Sequence, residues 1–417
     1  MRTRDAIVIG AGPAGTAAAT TMAEGGLDVE VIDKAVFPRD KICGDGLTAL
    51  ALRMLEQLGV DPSGPDSWKW VDECLVRSPS GHEVAFPIPR HDGHHVAVVP
   101  RMELDHALVD RARGAGATVT EGTDVVGAVE SSDAVEVVTG DGQRVRARWA
   151  VAADGMWSPM RKYLGVASEG YRGEWHAFRQ YFADVSGPAA EQMAVYFEAD
   201  LLPGYFWTFP LPGNRANVGF GVQRGGKVPI GTMGTLWDEL LQRPHIRALL
   251  GGDARGERTR RAWPIPARVD SVLPATTRTM FVGDAVAACD VMTGEGIGQA
   301  LLTGILAGRE VIRDGPRGRT AAGRYAASMR RDLVADHRMS ALLVRALKHR
   351  KGARAAVRVA GATPWTRRHF GRWLFEDYPR AVLVTPRRWS RGMLTPPGSF
   401  AQRATGATSA PAGHASH

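Results

Sequence analysis

The sequence specifies an α/β protein with a Rossmann-like unit built from discontinuous segments, an antiparallel-sheet region and a helical C-terminal region. Three observations carry this. The chain opens with a β-branched run (residues 5–9), a glycine-rich turn, a small-residue stretch (13–26) and a second apolar run (28–32), the pattern of half a βαβ unit. Residues 175–222 are strand-like and interrupted by the turn signals Gly187-Pro188 and Pro212-Gly-Asn214. Residues 319–391 read as arginine-rich helices broken at Gly361 and Pro364.

The remaining elements follow in order. After a Pro/Gly loop over 37–46, Leu47, Leu50, Leu55 and Leu58 stand at near-helical spacing, and Gly59 closes that helix. Residues 74–99 read as short strands, 102–115 as an amphipathic helix, and 116–119 as a return to strand. Residues 125–138 and 145–152 alternate like a meander and a returning strand that ends at Asp154-Gly155. A helix is expected over 232–250. Residues 280–284 form another apolar strand ending in glycine, and a helix runs from Gly294 to about Arg313, so the first unit resumes there. The expected domains are a nucleotide-binding unit from 1–70, 100–165 and 275–318, a substrate domain from 71–99 and 166–274, and a basic helical region over 319–395. Residues 396–417, rich in Pro, Ser, Thr, Ala and Gly, are expected to be disordered.

The 417 residues are 44% hydrophobic and 23% charged, which excludes disorder of the whole chain. At roughly 100–200 residues per domain, two or three domains are expected. No repeat period is visible, and no apolar run reaches the ~18–20 residues of a membrane span. The first residues lack a signal-peptide pattern, and the three cysteines, Cys43, Cys74 and Cys289, have no CxxC spacing. A cytoplasmic protein without disulfides or zinc is expected. The net charge of +8 is uneven: residues 309–403 hold 22 Lys/Arg against 6 Asp/Glu, leaving −8 for residues 1–308. That basic end suits phospholipid head groups or a diphosphate, or is a solvated helix face; it has no aromatic interleaving that would indicate nucleic acid. His91, His94 and His95 lie in a loop with no helical face, and no metal is expected.

Gly10-Ala-Gly12-Pro-Ala-Gly15 lies between a strand and a helix, the setting of a dinucleotide fingerprint. Gly10 permits the tight turn, Gly12 lets backbone N–H groups approach a pyrophosphate, and Gly15 allows close helix packing. Asp33, at the end of the second strand, can accept from ribose hydroxyls. A glycine turn chosen only for packing is the competing reading. No second strand–glycine–helix unit is present, which argues against two-dinucleotide disulfide reductases.

Further motifs carry a resemblance. Asp154-Gly155 and Gly283-Asp284 resemble the DG and GD motifs of the aromatic-hydroxylase-like flavoprotein superfamily, in matching order and spacing. Cys43-Gly-Asp-Gly46, Tyr205-Phe-Trp207-Thr-Phe209-Pro210 and Gly294-Glu-Gly-Ile297 resemble the Cys-Gly-x-Gly, Tyr-x-Trp-x-Phe-Pro and Gly-Glu-Gly-Ile segments of the geranylgeranyl reductase family. The likeness spans about residues 4–315. It departs at Val291-Met-Thr293, where that family usually has a proline, and Leu374-Phe-Glu-Asp-Tyr-Pro379 matches nothing with an assigned role. The resemblance implies a Rossmann-like FAD-binding domain. It implies FAD contacts from Gly10, Gly12, Gly15, Asp33, Gly44, Arg101, Asp154, Gly155, Gly283, Asp284, Gly294, Gly296 and Ile297, the last three opening a helix toward the flavin N1–C2=O edge.

It also implies an FAD-dependent oxidoreductase that reduces carbon–carbon double bonds of a polyprenyl substrate by hydride transfer from flavin N5. In a strand, Tyr205, Trp207 and Phe209 share one face, which walls a lipophilic pocket or packs as sheet core. Cys43 is either the proton donor to the second carbon or a small buried residue under the flavin. Transient NADPH or ferredoxin is the expected reductant, and the basic end is expected to touch the membrane surface. The alternative is an FAD-dependent monooxygenase acting on a natural-product or aromatic substrate. Halogenases of similar sequence carry Trp-x-Trp-x-Ile-Pro, which this chain lacks.

Overall fold

The computed structural model describes residues 2–401 except 61, 63–65, 90–92, 316–317, 390, 392 and 394–395. Among the described residues the strands form three sheets. The first is a seven-stranded sheet whose parallel part runs Thr118–Thr120, Val29–Ile32, Arg2–Ile9, Arg144–Ala152, with Thr279–Phe281 also parallel to Arg144–Ala152. The strands Ala6–Ile9 and Ala150–Ala152 are almost wholly apolar and buried, as both faces of a helix-covered parallel sheet require. Arg144–Ala152 changes neighbours along one edge. Its first residues pair antiparallel with Val135–Thr139, and its last three pair with Thr279–Phe281. The sheet therefore ends at Ala152 and Phe281 on the same edge, which brings Asp154 and Asp284 to the C-terminal side of the parallel strands, where ligands of such sheets bind.

Helix Pro13–Glu24 packs on helix Ile297–Asp314. The approach is close because a Cβ on Gly304 would lie 2.1 Å from the Ala14 carbonyl oxygen. Residues after 275 thus join the first sheet by strand pairing and its covering helix by packing.

The second sheet has eight strands, in the order Arg255–Gly256, Trp175–Ala183, Arg215–Gln223, Phe206–Leu211, Met193–Tyr196, Glu73–Arg77, Glu83–Pro87, with Arg261–Ile265 also on Trp175–Ala183. One face buries Phe178, Phe206, Phe220 and Val218 against Trp237 and Leu240. The expected helix over 232–250 is two, Met233–Gln242 and Pro244–Leu250, because Arg243 is extended ahead of a proline at the first helical position. Gly46–Leu47, Ala97–Val98 and Lys69–Trp70 form a small third sheet.

The C-terminal region contains helices Ala321–Met329, Ala335–Leu347, Arg350–Ala360 and Pro364–Leu374. It folds back on the rest: Val357 and Ala360 are buried with Phe86 and Val84. Past Pro396, Ser399 pairs with His94 and Phe400 N–H donates to Glu56 at 3.0 Å. Residues 402–417 of the expected disordered tail, and His91, lie outside the described residues. Among the described residues no helix is long and apolar enough to cross a membrane.

Candidate active site

A cavity of about 940 Å³ runs from the N-terminal glycine turn, past the cysteine loop, to an apolar arm among the C-terminal helices. Its nucleotide end is set by three glycines with different roles. Gly10 has φ +102, and a Cβ there would meet the Ala153 carbonyl oxygen at 2.4 Å; a Cβ on Gly15 would lie 1.8 Å from the Gly10 carbonyl oxygen. Gly12 has nothing closer than 3.9 Å. The first and third glycines are therefore demanded by packing, and the second leaves open space at the N-terminus of helix Pro13–Glu24, where backbone N–H groups and the helix dipole favour an anion. Asp33 is fixed beside it, its two carboxylate oxygens accepting from Ala11 N–H at 2.6 Å and Ala35 N–H at 2.8 Å.

In the middle of the cavity, Arg101 opens helix Arg101–Gly114 and binds Asp105 with two hydrogen bonds of 2.7 and 2.8 Å. Arg39 pairs with the same carboxylate at 3.0 Å. Arg101 and Cys43 line the same part of the cavity. Burial pushes the Cys43 thiol up, and Arg101 pulls it back. Lys41, which its sequence neighbours do not single out, is half-buried and lies 4.7 Å from the Trp263 ring, and partial burial lowers its pKa against the pull of Asp284. Asp284 starts a short turn after the strand Thr279–Phe281 and accepts from the Cys289 thiol at 3.3 Å. Asp154 serves its own turn, accepting from the Ser158 hydroxyl and Met160 N–H at 2.8 Å each, while Gly155 takes φ +78.

The helix start at Gly294-Glu-Gly-Ile297 differs from expectation in one respect. Glu295 accepts from Gly298 N–H at 2.8 Å, so a first-turn donor that an open helix end would present to a ligand is taken by this side chain. What faces the cavity here is the Gly294–Gly296 backbone.

The aromatic strand lies across from the cysteine loop. Tyr205, Trp207 and Phe209 all line the cavity, while Phe206 of the same strand is core on the other face. The Tyr205 hydroxyl donates to the Thr293 carbonyl, and the Trp207 indole donates to Asn217 at 3.2 Å. Cβ atoms on Gly44 and Gly46 would sit 3.2 Å from the Phe209 ring. The Cys-Gly-Asp-Gly loop is thus glycine-flanked because it lies on this aromatic face. Of the residues singled out in the sequence, Gly10, Gly12, Asp33, Cys43, Gly44, Arg101, Asp154, Gly155, Gly283, Asp284, Gly294, Gly296 and Ile297 border the same cavity as the three aromatics; Gly15 packs behind it.

Residues 3–302 match the family described as FAD binding domain. The chain belongs to this family of FAD-dependent oxidoreductases. This flavoprotein is 34% identical over 337 residues to the menaquinone reductase of Mycolicibacterium smegmatis, covering 74% of this chain and 76% of the relative. It is 31% identical over 325 residues to digeranylgeranylglycerophospholipid reductase 1 of Methanopyrus kandleri, covering 74% and 80%. A geranylgeranyl bacteriochlorophyll reductase-like protein from Thermoplasma acidophilum shares the fold, with a TM-score of 0.77, 20% identity and coverage of 93% and 99%. A halogenase solved with FAD shares it at a TM-score of 0.70 and 16% identity, covering 91% and 87%. The resemblance to the geranylgeranyl reductase family holds.

The residues of the flavoprotein fit FAD. The open space above Gly12 would take a pyrophosphate, the anchored Asp33 carboxylate a ribose, and the half-buried Lys41 and Asp284 the polar side chain of a flavin. Residues from the unassigned segment near 374–379 also reach the site. Glu376 accepts from Gln299 at 2.7 Å and from Thr48 at 3.1 Å, and Asp377 binds Arg53 at 2.8 Å and pairs with Arg372. Its only signal in the sequence was an acidic pair inside a strongly basic region.

Proposed function

We propose that this flavoprotein reduces carbon–carbon double bonds of a lipophilic polyprenyl substrate, such as a prenylated quinone or a geranylgeranyl lipid. Bound FAD, once reduced, supplies the hydride. The Cys43 thiol supplies the proton to the other carbon, and Arg101 stabilises the thiolate left behind. Tyr205, Trp207 and Phe209 hold the alkene in apolar surroundings, and the cavity arm bordered by Leu343, Leu347, Val357, Phe370 and Trp373 takes the chain. The observation that carries this reading is one cavity in which Cys43 and the buried Arg101 lie opposite an aromatic wall that continues into an apolar arm. The relatives named for reductases of menaquinone and of a digeranylgeranyl phospholipid support it.

The electrons come from a transiently bound donor, NADPH or ferredoxin. The protein rests on the cytoplasmic membrane surface through its basic end, where exposed Leu342, Val359 and Trp365 stand among Arg345, Arg350, Arg354, Arg358 and Arg368.

The test is to mix anaerobically reduced holoprotein with prenyl quinones, prenyl diphosphates and prenyl lipids, following flavin reoxidation optically and products by mass. Reoxidation without oxygen, with products heavier by hydrogens alone, is expected. A flavin that stays reduced with every prenyl compound until oxygen enters overturns the reading in favour of oxygen transfer. NADPH and reduced ferredoxin, supplied separately to oxidised protein, distinguish the donors.

A further inference from the structure

A thiol beside a guanidinium tends toward thiolate, which cannot give a proton. Cys43 meets that pull from Arg101, while burial acts most strongly on the thiol and in the opposite direction. Asp45 is fully buried in the left-handed region at φ +66, a conformation that Asp, Asn and Gly tolerate. Its Oδ2 accepts from the Tyr181 hydroxyl at 2.7 Å and from Asn217 Nδ2 at 2.8 Å. Its Oδ1 is buried with no hydrogen-bond partner. The same Asn217 nitrogen donates to the Cys43 carbonyl at 2.8 Å, so the carboxylate and the thiol are held by one amide in a fixed relation.

We propose that Asp45 is a positioning residue whose buried carboxylate, held to the cysteine loop by Asn217, offsets Arg101 and adds to burial in holding the Cys43 sulfur protonated. The proposal deepens the reductase reading, in which Cys43 is the proton donor. The charged and titratable groups around the pair are Arg101 with Asp105 and Arg39 on one side, Arg179 with Asp40 and Tyr181 on the sheet side, and Glu295 and Lys41 across the cavity. Among them Arg101 is the cation that acts most strongly to acidify the thiol, and Asp45 is the carboxylate that acts most strongly to raise it. Burial lifts Asp45 itself to about 6, against the Tyr181, Arg179 and Asn217 contacts that favour its charged form. Asp45 is therefore anionic at neutral pH, where a protonated thiol is needed, and the offset fades below that value.

The experiment is the pH dependence of Cys43 alkylation by iodoacetamide in the FAD-loaded full chain, quantified on the Cys43 peptide by mass. Asp45→Asn suits the backbone and still accepts from Tyr181. It is expected to move the profile down by about one pH unit, raising alkylation at neutral pH about tenfold. Tyr181→Phe, which weakens the anionic form of Asp45, is expected to move it the same way by less. An Asp45→Asn profile that coincides with wild type, in protein with normal flavin absorbance and unfolding temperature, overturns the proposal. If Asp45→Asn fails to bind flavin, Tyr181→Phe decides, and an unchanged profile overturns it. Should iodoacetamide not reach the loop, the infrared S–H band, assigned by its loss in Cys43→Ala, is read across the same pH range. Persistence of that band in the variants to the wild-type pH is the contradicting result. No substrate enters these measurements, so they fail separately from the reductase reading.

Discussion

The side-chain nitrogen of Asn217 lies 2.8 Å from the carbonyl oxygen of Cys43, so a central strand of the eight-stranded sheet holds the cysteine loop across 174 residues of sequence. The same side chain accepts from Trp207 and donates to Asp45. One amide thereby fixes the cysteine loop, the Asp45 carboxylate and the aromatic wall.

Asn217→Ala leaves three buried polar groups short of a partner, at about 1–3 kcal/mol each. The expected outcome is a stability loss of roughly 3 kcal/mol or more by denaturant unfolding, with flavin reoxidation by a prenyl substrate falling further than FAD content.

Gly15→Ala and Gly12→Ala separate packing from ligand space. The first places a Cβ 1.8 Å from the Gly10 carbonyl oxygen, and the second meets nothing within 3.9 Å. Gly15→Ala is expected to lose stability whether or not FAD is present. Gly12→Ala is expected to keep the stability of the apoprotein and weaken FAD binding; equal losses in both variants would contradict this.

Asp377 joins the C-terminal helices to the rest of the protein. Burial raises its pKa, but His95, Arg53 and Arg372 outweigh burial and hold it below the usual carboxylate range. A depressed value contributes stability above the ordinary carboxylate pKa of about 3.9, and that contribution is lost as pH falls through the folded value. Asp377→Asn is expected to cost roughly 3 kcal/mol at neutral pH. The gap to wild type should close in acid, as read by urea midpoints.

Glu295 and Glu376 behave oppositely. Burial and mutual repulsion raise Glu295, and burial with Asp290 raises Glu376 against the pull of Arg380. A raised carboxyl is no burden below its ordinary pKa of about 4.3 and becomes one as pH rises through the folded value. Wild-type stability is therefore expected to fall from mildly acid to mildly alkaline pH. Glu376→Gln should flatten that fall and be the more stable protein at the alkaline end; parallel pH curves would count against it.

What was legible in the sequence was local in spacing. Gly10, Gly12, Gly15 and Asp33 sit within one strand–turn–helix–strand unit, and Tyr205, Trp207 and Phe209 share a face through simple alternation. What escaped was set by tertiary pairing. Nothing near Asn217 announces Cys43, and the approach of Glu376 to Thr48 spans 328 residues. Lys41 reads as one more loop cation until the fold sets it on the cavity with Asp284. Glycine spacing presents the Gly-Glu-Gly turn as an open helix end, but its own glutamate accepts from Gly298 N–H, a short-range competition that the spacing does not reveal.

The central claim is that one hydrogen reaches the alkene from the flavin and the other from Cys43. It is tested most directly by a single turnover of anaerobically reduced holoprotein with a prenyl quinone in D2O, comparing wild type with Cys43→Ala. In wild type, with the flavin N5 hydrogen also exchanged to deuterium, the account predicts a product gaining two deuteriums on adjacent carbons. It predicts a rate in Cys43→Ala at least about a hundredfold lower, at unchanged FAD content. A Cys43→Ala protein that reduces the double bond at the wild-type rate, or a wild-type flavin that is not reoxidised by the prenyl quinone, would contradict it.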